Sequence, residues 1–197
     1  MVILEKENWS KKFSNEDFSD CDIASIEFDG CTFTDCDFSE ASLAKSTFSD
    51  CAFERCNLSV VRLDYCKLSD VTFRDCKLLG VDWTRVAWPR MLFESPIRFY
   101  DCLLSDSSFH GLQLPEIVME GCTTHNVDFR EGDFSKASFI RSDFTGAIFS
   151  ETNLTGTDFY GAIEFDIDIT RNQIAQAKFD RFEAVRLLAC LDIELID

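Results

Sequence analysis

Ten cysteines, two histidines and 36 carboxylates stand in this 197-residue chain, residue types from which zinc centres, disulfide frameworks, thiol nucleophiles and acid–base pairs are built. Their spacing argues against each. Nine of the cysteines, Cys21, Cys31, Cys36, Cys51, Cys56, Cys66, Cys76, Cys102 and Cys122, are separated by multiples of five within two blocks. Structural zinc is held by C-x2-C to C-x4-C pairs that converge with a second pair, which this spacing does not supply. Buried free thiols acting as small apolar fillers are expected instead. Cys190 alone lies off this phase, in the tail, either as a reactive thiol or as part of a packed helix face, with packing favoured. His110 and His125 belong to no Ser/His/Asp or Cys/His set, and no glycine-rich phosphate loop is present. The expectation is a non-enzymatic protein with no catalytic residue, no metal and no cofactor.

What positions these residues is a comb of period five. A first register of apolar centres runs from Phe13 to Phe93 through 17 positions, and a second from Phe99 to Phe159 through 13. Among these 30 positions only Thr124 is not hydrophobic, and they hold 17 of the 20 phenylalanines. A helix repeats its buried face at 3.6 and a strand at 2.0, so period five requires a path that turns a corner every five residues. Such a chain is a solenoid. The position two before the centre is also selective, carrying the nine cysteines with Ala41, Val61, Val71, Ala137 and Ala147 between them, so it favours small apolar side chains. Seven of the eight glycines fall two after a centre, where the chain turns. The remaining positions are mostly polar and face water.

The comb is interrupted once in the middle and stops before the end. Between Trp83 and Phe99 it slips by one residue, and Pro89 and Pro96 remove ladder donors. Two readings stand there. Trp88, Pro89, Arg90 and Met91 project as a partner-binding loop, or Trp83, Trp88 and Phe93 keep phase and fill a distorted coil. The segment from His110 to Met119, around Pro115, is a candidate second bulge. The comb ends at Phe165, which divides the chain into a β-helix over 1–165, interrupted near 84–98, and a cap over 166–197. Asp180 with Glu183 resembles a capping box, and Phe182, Val185, Leu188 and Leu191 recur at helical spacing. The spacing predicts a short amphipathic helix that covers the open end of the solenoid, and whose apolar stripe, with Ile193, Leu195 and Ile196, joins a second copy into a homodimer; a cap without dimerisation is the alternative.

Charge narrows the partners. A formal charge of −17 excludes a phosphate-binding footprint, so no nucleic-acid partner is expected, and a basic protein partner fits better. The acids gather toward the ends: nine lie from Glu16 to Glu40 and six from Asp143 to Asp168, with no base in either stretch. Between Arg55 and Arg90 seven bases outnumber four acids. Asp17, Asp22, Asp37, Asp143 and Asp158 are the candidate partner-binding acids. The opening Met-Val-Ile-Leu-Glu-Lys-Glu-Asn is too short and acidic for a secretory signal, and no apolar run reaches membrane-spanning length, so a soluble cytoplasmic protein with no membrane partner is expected.

The repeat, as in Cys36-Asp37-Phe38-Ser39-Glu40 or Ala147-Ile148-Phe149-Ser150-Glu151, resembles the pentapeptide-repeat family, whose pattern reads roughly A-(D/N)-L-x-x. The resemblance implies an all-β chain wound as a right-handed quadrilateral β-helix with four repeats per coil. At the inter-strand spacing such a rod is on the order of 35 Å long. The ending Asp-Ile-Asp-Ile…Asn-Gln-Ile…Ala-Lys-Phe…Ala-Val-Arg-Leu-Leu…Leu-Asp-Ile-Glu-Leu is similar to the tail of the gyrase-protecting Qnr/McbG (microcin immunity) branch. That likeness implies a dimer joined through its tails that engages DNA gyrase or topoisomerase IV, partly as a DNA mimic, and protects it from a topoisomerase-poisoning toxin or drug. A scaffold or interaction module with another partner is the alternative. The basic middle zone and the tryptophan-rich interruption depart from uniform DNA mimicry.

Overall fold

The computed structural model describes residues 4–89, 95–191 and 193, so Arg90, Met91, Phe93, Leu195 and Ile196 lie outside the described residues. The chain winds as a parallel β-solenoid of about eight turns. Each turn has four walls. The first is built from Glu7–Trp9, Glu27–Asp29, Thr47–Ser49 and Lys67–Ser69, and the second from Lys12–Ser14, Thr32–Thr34, Ala52–Glu54, Val71–Arg74, Ile97–Tyr100 and Val118–Glu120, all paired in parallel. The third and fourth walls are single bridges, such as Asp17 to Asp37 and Asp22 to Ser42. Partners are twenty residues apart, as four five-residue repeats require: Phe13 meets Phe33 and Phe33 meets Phe53.

The period of five follows from how each repeat is used. The centre points inward, its two neighbours point outward along the wall, and the residue two after it turns the corner. Among the described residues that corner is left-handed at twenty-three non-glycine residues, with φ from 49° to 62°. Non-glycine residues disfavour this region by roughly 1–2 kcal/mol each, and the coil holds them there through inter-coil hydrogen bonds such as Asp20 N–H to Ser39 C=O at 3.0 Å. Gly132 is the one glycine off the corner phase. It sits at the small-residue site, where an added Cβ would collide with the Phe134 ring.

The bore is filled by the centres. On the second wall Phe13, Phe33, Phe53, Phe73 and Phe99 stack with centroids 4.9, 4.7, 5.0 and 5.2 Å apart, the coil spacing itself. Neighbouring walls add edge contacts such as Phe28 to Phe33 at 5.4 Å. Thr124, the polar centre, is fully buried, and its hydroxyl donates to the Asp143 carbonyl at 2.7 Å. Asn8 occupies the centre position of the first turn, where its amide donates to the Glu5 carbonyl at 2.8 Å and accepts from Lys11 Nζ at 3.1 Å. An amide with backbone partners can end an apolar bore where a phenylalanine would be left wet.

All ten cysteines are free thiols. Cys36, Cys56, Cys76, Cys102 and Cys122 form one column on successive turns, and thiols in it donate to backbone carbonyls, as Cys56 does to Phe33 and Cys76 to Phe53, both at 3.4 Å. Burial pushes the Cys51 and Cys66 thiols up to about 12, so they stay protonated and inert at neutral pH. Cys21, on the first turn, differs from the other eight in being only half-buried.

Three expectations need correction. Across the interruption the ladder advances by 26 residues, with Phe73 on Phe99 and Lys77 on Leu103, so six residues are inserted and the walls resume in phase. Trp83 stays in the bore, stacked on Phe109 at 5.5 Å, and Ala87 N–H donates to Cys66 C=O at 2.8 Å, which keeps Trp88 in register with Leu68. Trp88 is half-buried against the core, and its indole N–H donates to the Trp83 carbonyl at 3.0 Å. Second, the segment from His110 to Met119 contains no bulge, since Gln113 pairs with Asp133 and Val118 with Ser138 in the ordinary register; Pro115 lies just after a centre, where the wall needs no donor. Third, the ladder runs past residue 165. Phe165 and Ile167 shorten one step, Phe149 aligning with the region of Ile167, after which Asp158–Phe159 pairs with Lys178–Phe179. The broken comb hid a turn that stacking preserves, Phe179 lying 4.9 Å from Phe159.

Trp83 carries a flaw in this interior. Its indole nitrogen is buried without a hydrogen-bond partner, in a bore whose other walls are phenylalanine and leucine. An unsatisfied buried donor costs about 1–3 kcal/mol, comparable to the packing lost on trimming the ring. The Trp83→Phe variant is therefore expected to be neutral to slightly more stable than the parent in urea unfolding. A loss above about 2 kcal/mol would show that ring volume outweighs the orphaned donor.

Candidate interaction surface

The outward residue before each centre forms a column up each wall. On the third wall it reads Asp17, Asp37, Asn57, Lys77, Leu103, Thr123, Asp143 and Ile163, each paired with the next. Asx residues recur here because the side chain accepts the backbone N–H two residues on: Ser19 donates to Asp17 at 3.0 Å, Ser39 to Asp37 at 2.8 Å, and Ser59 to Asn57 at 3.2 Å. These acids therefore have a structural duty as well as a charge. The Ser19 hydroxyl and amide hold the Asp17 carboxyl below its ordinary range, so it is ionised at neutral pH.

The five acids chosen from sequence do not make one face. Asp17, Asp37 and Asp143 share the third wall, Asp22 begins the column of the fourth, and Asp158 lies on the second, above Ser138 and below Lys178. Nor are they equally free. Lys178 binds Asp158 at 2.9 Å, and the His125 ring meets Asp143 at 2.9 Å. Burial alone would raise the Asp143 carboxyl, but hydrogen bonds from Thr145 and His125 carry it below its ordinary value. Asp17, Asp22 and Asp37 have no cationic partner among the described residues.

This difference extends to the two ends of the rod. Toward the C-terminus, acids are tied to bases: Asp128 to Arg130, Glu116 to Lys136, Glu151 to Arg171, and both Glu164 and Asp166 to Arg186. Of the nine acids from Glu16 to Glu40, only Asp35 meets a base among the described residues, Arg55 at 2.8 Å, which leaves eight without one (nine minus one). Sequence showed two acidic ends of similar weight. Adding twenty to each acid's number would have found most of the bases that neutralise the second end.

At the interruption, Pro89 is exposed beside the half-buried Trp88. The tail forms a 3-10 helix over Glu183–Leu191, where a period of three places Phe182, Val185, Leu188 and Leu191 in a single row. Asp180 caps its start by accepting from Phe182 N–H at 3.0 Å, not from Glu183. Phe182 is 82 % exposed, Val185 48 % and Leu191 41 %, while Leu188 is half-buried and Leu187 turns in against the core. Arg186 clamps the helix to the last turn through Glu164 at 2.6 Å and Asp166 at 3.0 Å. Among the described residues no cluster of His, Cys, Asp and Glu is placed to hold a metal, and no helix is long and apolar enough to cross a membrane.

Comparison with known proteins agrees on the architecture. The solved structure of QnrB1, described as a plasmid-mediated fluoroquinolone resistance protein, is similar at 22 % identity over 95 % of this chain and 90 % of that one, with a TM-score of 0.50. A trypsin-treated variant of QnrB1 aligns at 21 % identity over 96 % and 100 % of the two chains, with a TM-score of 0.48. HetL, a pentapeptide repeat protein involved in heterocyst differentiation regulation from the cyanobacterium Nostoc sp. strain PCC 7120, aligns at 14 % identity over 88 % and 89 %, with a TM-score of 0.29. A comparison with curated proteins gives no match. The family model described as pentapeptide repeat region matches residues 26–96 and 81–159, more than half of the chain. With the twenty-residue ladder, the inward comb and the left-handed corners, that match makes this chain a member of the pentapeptide-repeat family.

Proposed function

We propose that this chain is a non-enzymatic acidic rod that binds a type II topoisomerase, DNA gyrase or topoisomerase IV, partly in place of DNA, and protects it from a poisoning toxin or drug. The observation that carries the reading is the unpaired charge of the first turns. Eight free carboxylates over 25 residues occupy about one and a quarter turns, roughly 6 Å of rod, where duplex DNA carries about 3–4 charges. A basic DNA-binding surface would meet a charge density at least as high as that of its usual ligand. The likeness to a fluoroquinolone resistance protein supports the same reading. In this reading the protein is cytoplasmic, acts as a homodimer through its tail, and uses surface complementarity alone, with Trp88, Pro89, Arg90 and Met91 adding specificity by shape.

Asparagine gives a clean test, because Asn57 and Asn153 already fill the same ladder position and accept the same turn bond. The triple variant Asp17→Asn, Asp22→Asn, Asp37→Asn should fold with unchanged stability. It should bind gyrase about 10-fold more weakly at low salt, at roughly 0.5 kcal/mol per charge, with a shallower salt dependence. Affinity and poison-stabilised cleavage are measured side by side. A parent protein that binds neither topoisomerase and leaves cleavage unchanged would remove the reading and leave a scaffold for another partner.

A further inference from the structure

We propose that a groove on the fourth wall, between the third and fourth turns, docks an acidic, aliphatic segment of a partner protein. This stands whether or not the partner is a topoisomerase, since the groove is separate from the acidic first turns and from the tail. Val60 and Tyr65 occupy consecutive corners, one at each edge of this wall, with φ of 57° at both. Every other left-handed corner among the described residues is glycine or a polar residue. A β-branched or bulky aromatic side chain is out of place in that region of backbone space, and strain of this kind gathers at functional sites. The fold makes no use of either side chain. Val60 is 56 % exposed and Tyr65 68 %, and Tyr65 has no ring contact among the described residues. Each is held in a costly conformation with its apolar surface in water.

The groove encloses about 230 Å3 and is lined by Val60, Arg62, Asp64, Gly80, Asp82 and Arg85. Gly80 continues the corner above Val60, where an added Cβ would lie 3.8 Å from a Val60 methyl, so glycine keeps the space over Val60 open. Pro89 and Ser95, which bracket the inserted segment, lie between the first and second walls, at the corner diagonal to Val60. Charge selects the occupant. Asp64 is taken by Arg85, whose Nε donates to it at 2.7 Å, and Asp82 by Thr84, whose N–H donates at 3.1 Å and hydroxyl at 2.5 Å. Lys45, Tyr65 and Arg85 share one corner on successive turns, Lys45 N–H donating to Asp64 C=O and Tyr65 N–H to Arg85 C=O, both at 2.8 Å. Lys45 and Arg62 have no acid partner among the described residues, which in a chain of charge −17 marks this face for an anionic ligand. Glu40 lies one turn below Val60, so the carboxylates of the ligand belong on the Tyr65 side. Arginine and tyrosine are also the side chains that most often anchor protein interfaces. The fitting segment sets one carboxylate on the Arg62 guanidinium and another on Lys45, with an aliphatic side chain over Val60 and Gly80.

The probe is the end-blocked peptide Gly-Asp-Leu-Glu-Leu-Asp-Gly, added to the full chain in about 0.15 M salt, where a Debye length of about 8 Å screens the distant acids of the rod. The expected result is amide chemical-shift change centred on Val60, Arg62, Tyr65 and Gly80, saturating with a Kd of about 1 mM. The analogue Gly-Asp-Ser-Glu-Ser-Asp-Gly, equal in charge, should bind at least about 10-fold more weakly, as should the original peptide to the Arg62→Glu variant. A Val60→Asn, Tyr65→Asn double variant separates docking from folding. Asparagine already fills the corners at Asn15 and Asn126, so this variant should be at least as stable as the parent in urea and yet lose the peptide. Four results would each overturn the proposal. Lower stability of the double variant would make the two side chains part of the fold. Equal binding of the serine analogue, or shifts spread over bases along the rod, would reduce the contact to diffuse electrostatics. The same shifts on raising the concentration of the chain alone would give the face to a second copy, and no shift at any of the four residues would leave the groove without a ligand of this class.

Discussion

Replacing Phe33 by alanine is expected to cost about 3–5 kcal/mol, enough to unfold a protein of ordinary stability or leave it marginal. Phe33 is completely buried, lies between Phe13 at 4.9 Å and Phe53 at 4.7 Å, and meets Phe28 and Phe38 by their edges at 5.4 Å. Its loss removes the transfer energy of the ring and opens a cavity that parallel, hydrogen-bonded walls cannot collapse to fill. Urea unfolding of Phe33→Ala beside Asp50→Ala checks this, since Asp50 is an exposed corner residue with φ of 52°. Alanine at Asp50 should change stability by less than about 1 kcal/mol. Equal losses at the two positions would mean that the bore does not dominate stability.

The second large effect is expected at the tail. Phe182, Val185 and Leu191 expose apolar surface on one row, and Arg186 fixes the helix to the last turn so that the row faces away from it. Changing Phe182 and Leu191 together to aspartate should turn the proposed homodimer into a monomer at micromolar concentration, because two charges would be buried against apolar surface. Sedimentation reads the mass, and an unchanged β-rich circular dichroism spectrum separates lost association from lost fold. Leu188, half-buried, is the poorer site for this change, since charge there would also disturb the cap. A parent protein that is monomeric at tens of micromolar would defeat the dimer.

Much of this fold was legible because one period governs three separate positions. Phe28, Phe48 and Phe134 mark the bore, Cys31, Cys51 and Ala137 the small site before it, and Gly30, Gly80 and Gly146 the corner after it. What escaped depends on relations across turns rather than within a repeat. Lys178 neutralises Asp158 from twenty residues away, so a window of like charges along the chain overstated the free charge of that end. Phe179 stacks on Phe159 although the comb between them is broken, so the last turn was read as a tail. Val60 and Tyr65 sit at corners with φ of 57°, although a β-branched and an aromatic residue carry no sign of it. The helix was visible but not its type, because a spacing of three fits both the 3-10 and the α geometry.

The inserted segment before Ile97 bears on how the rod assembles. Laying down an ordinary turn closes a loop of twenty residues, and the interrupted turn closes one of 26. Loop-closure entropy grows only with the logarithm of length, so the six extra residues add about 0.2 kcal/mol, against roughly 1 kcal/mol or more for each aromatic stack the next turn completes. Zipping along the rod therefore passes the insertion almost unhindered. The length and composition of that segment are free to diverge between relatives without slowing assembly of the turns on either side.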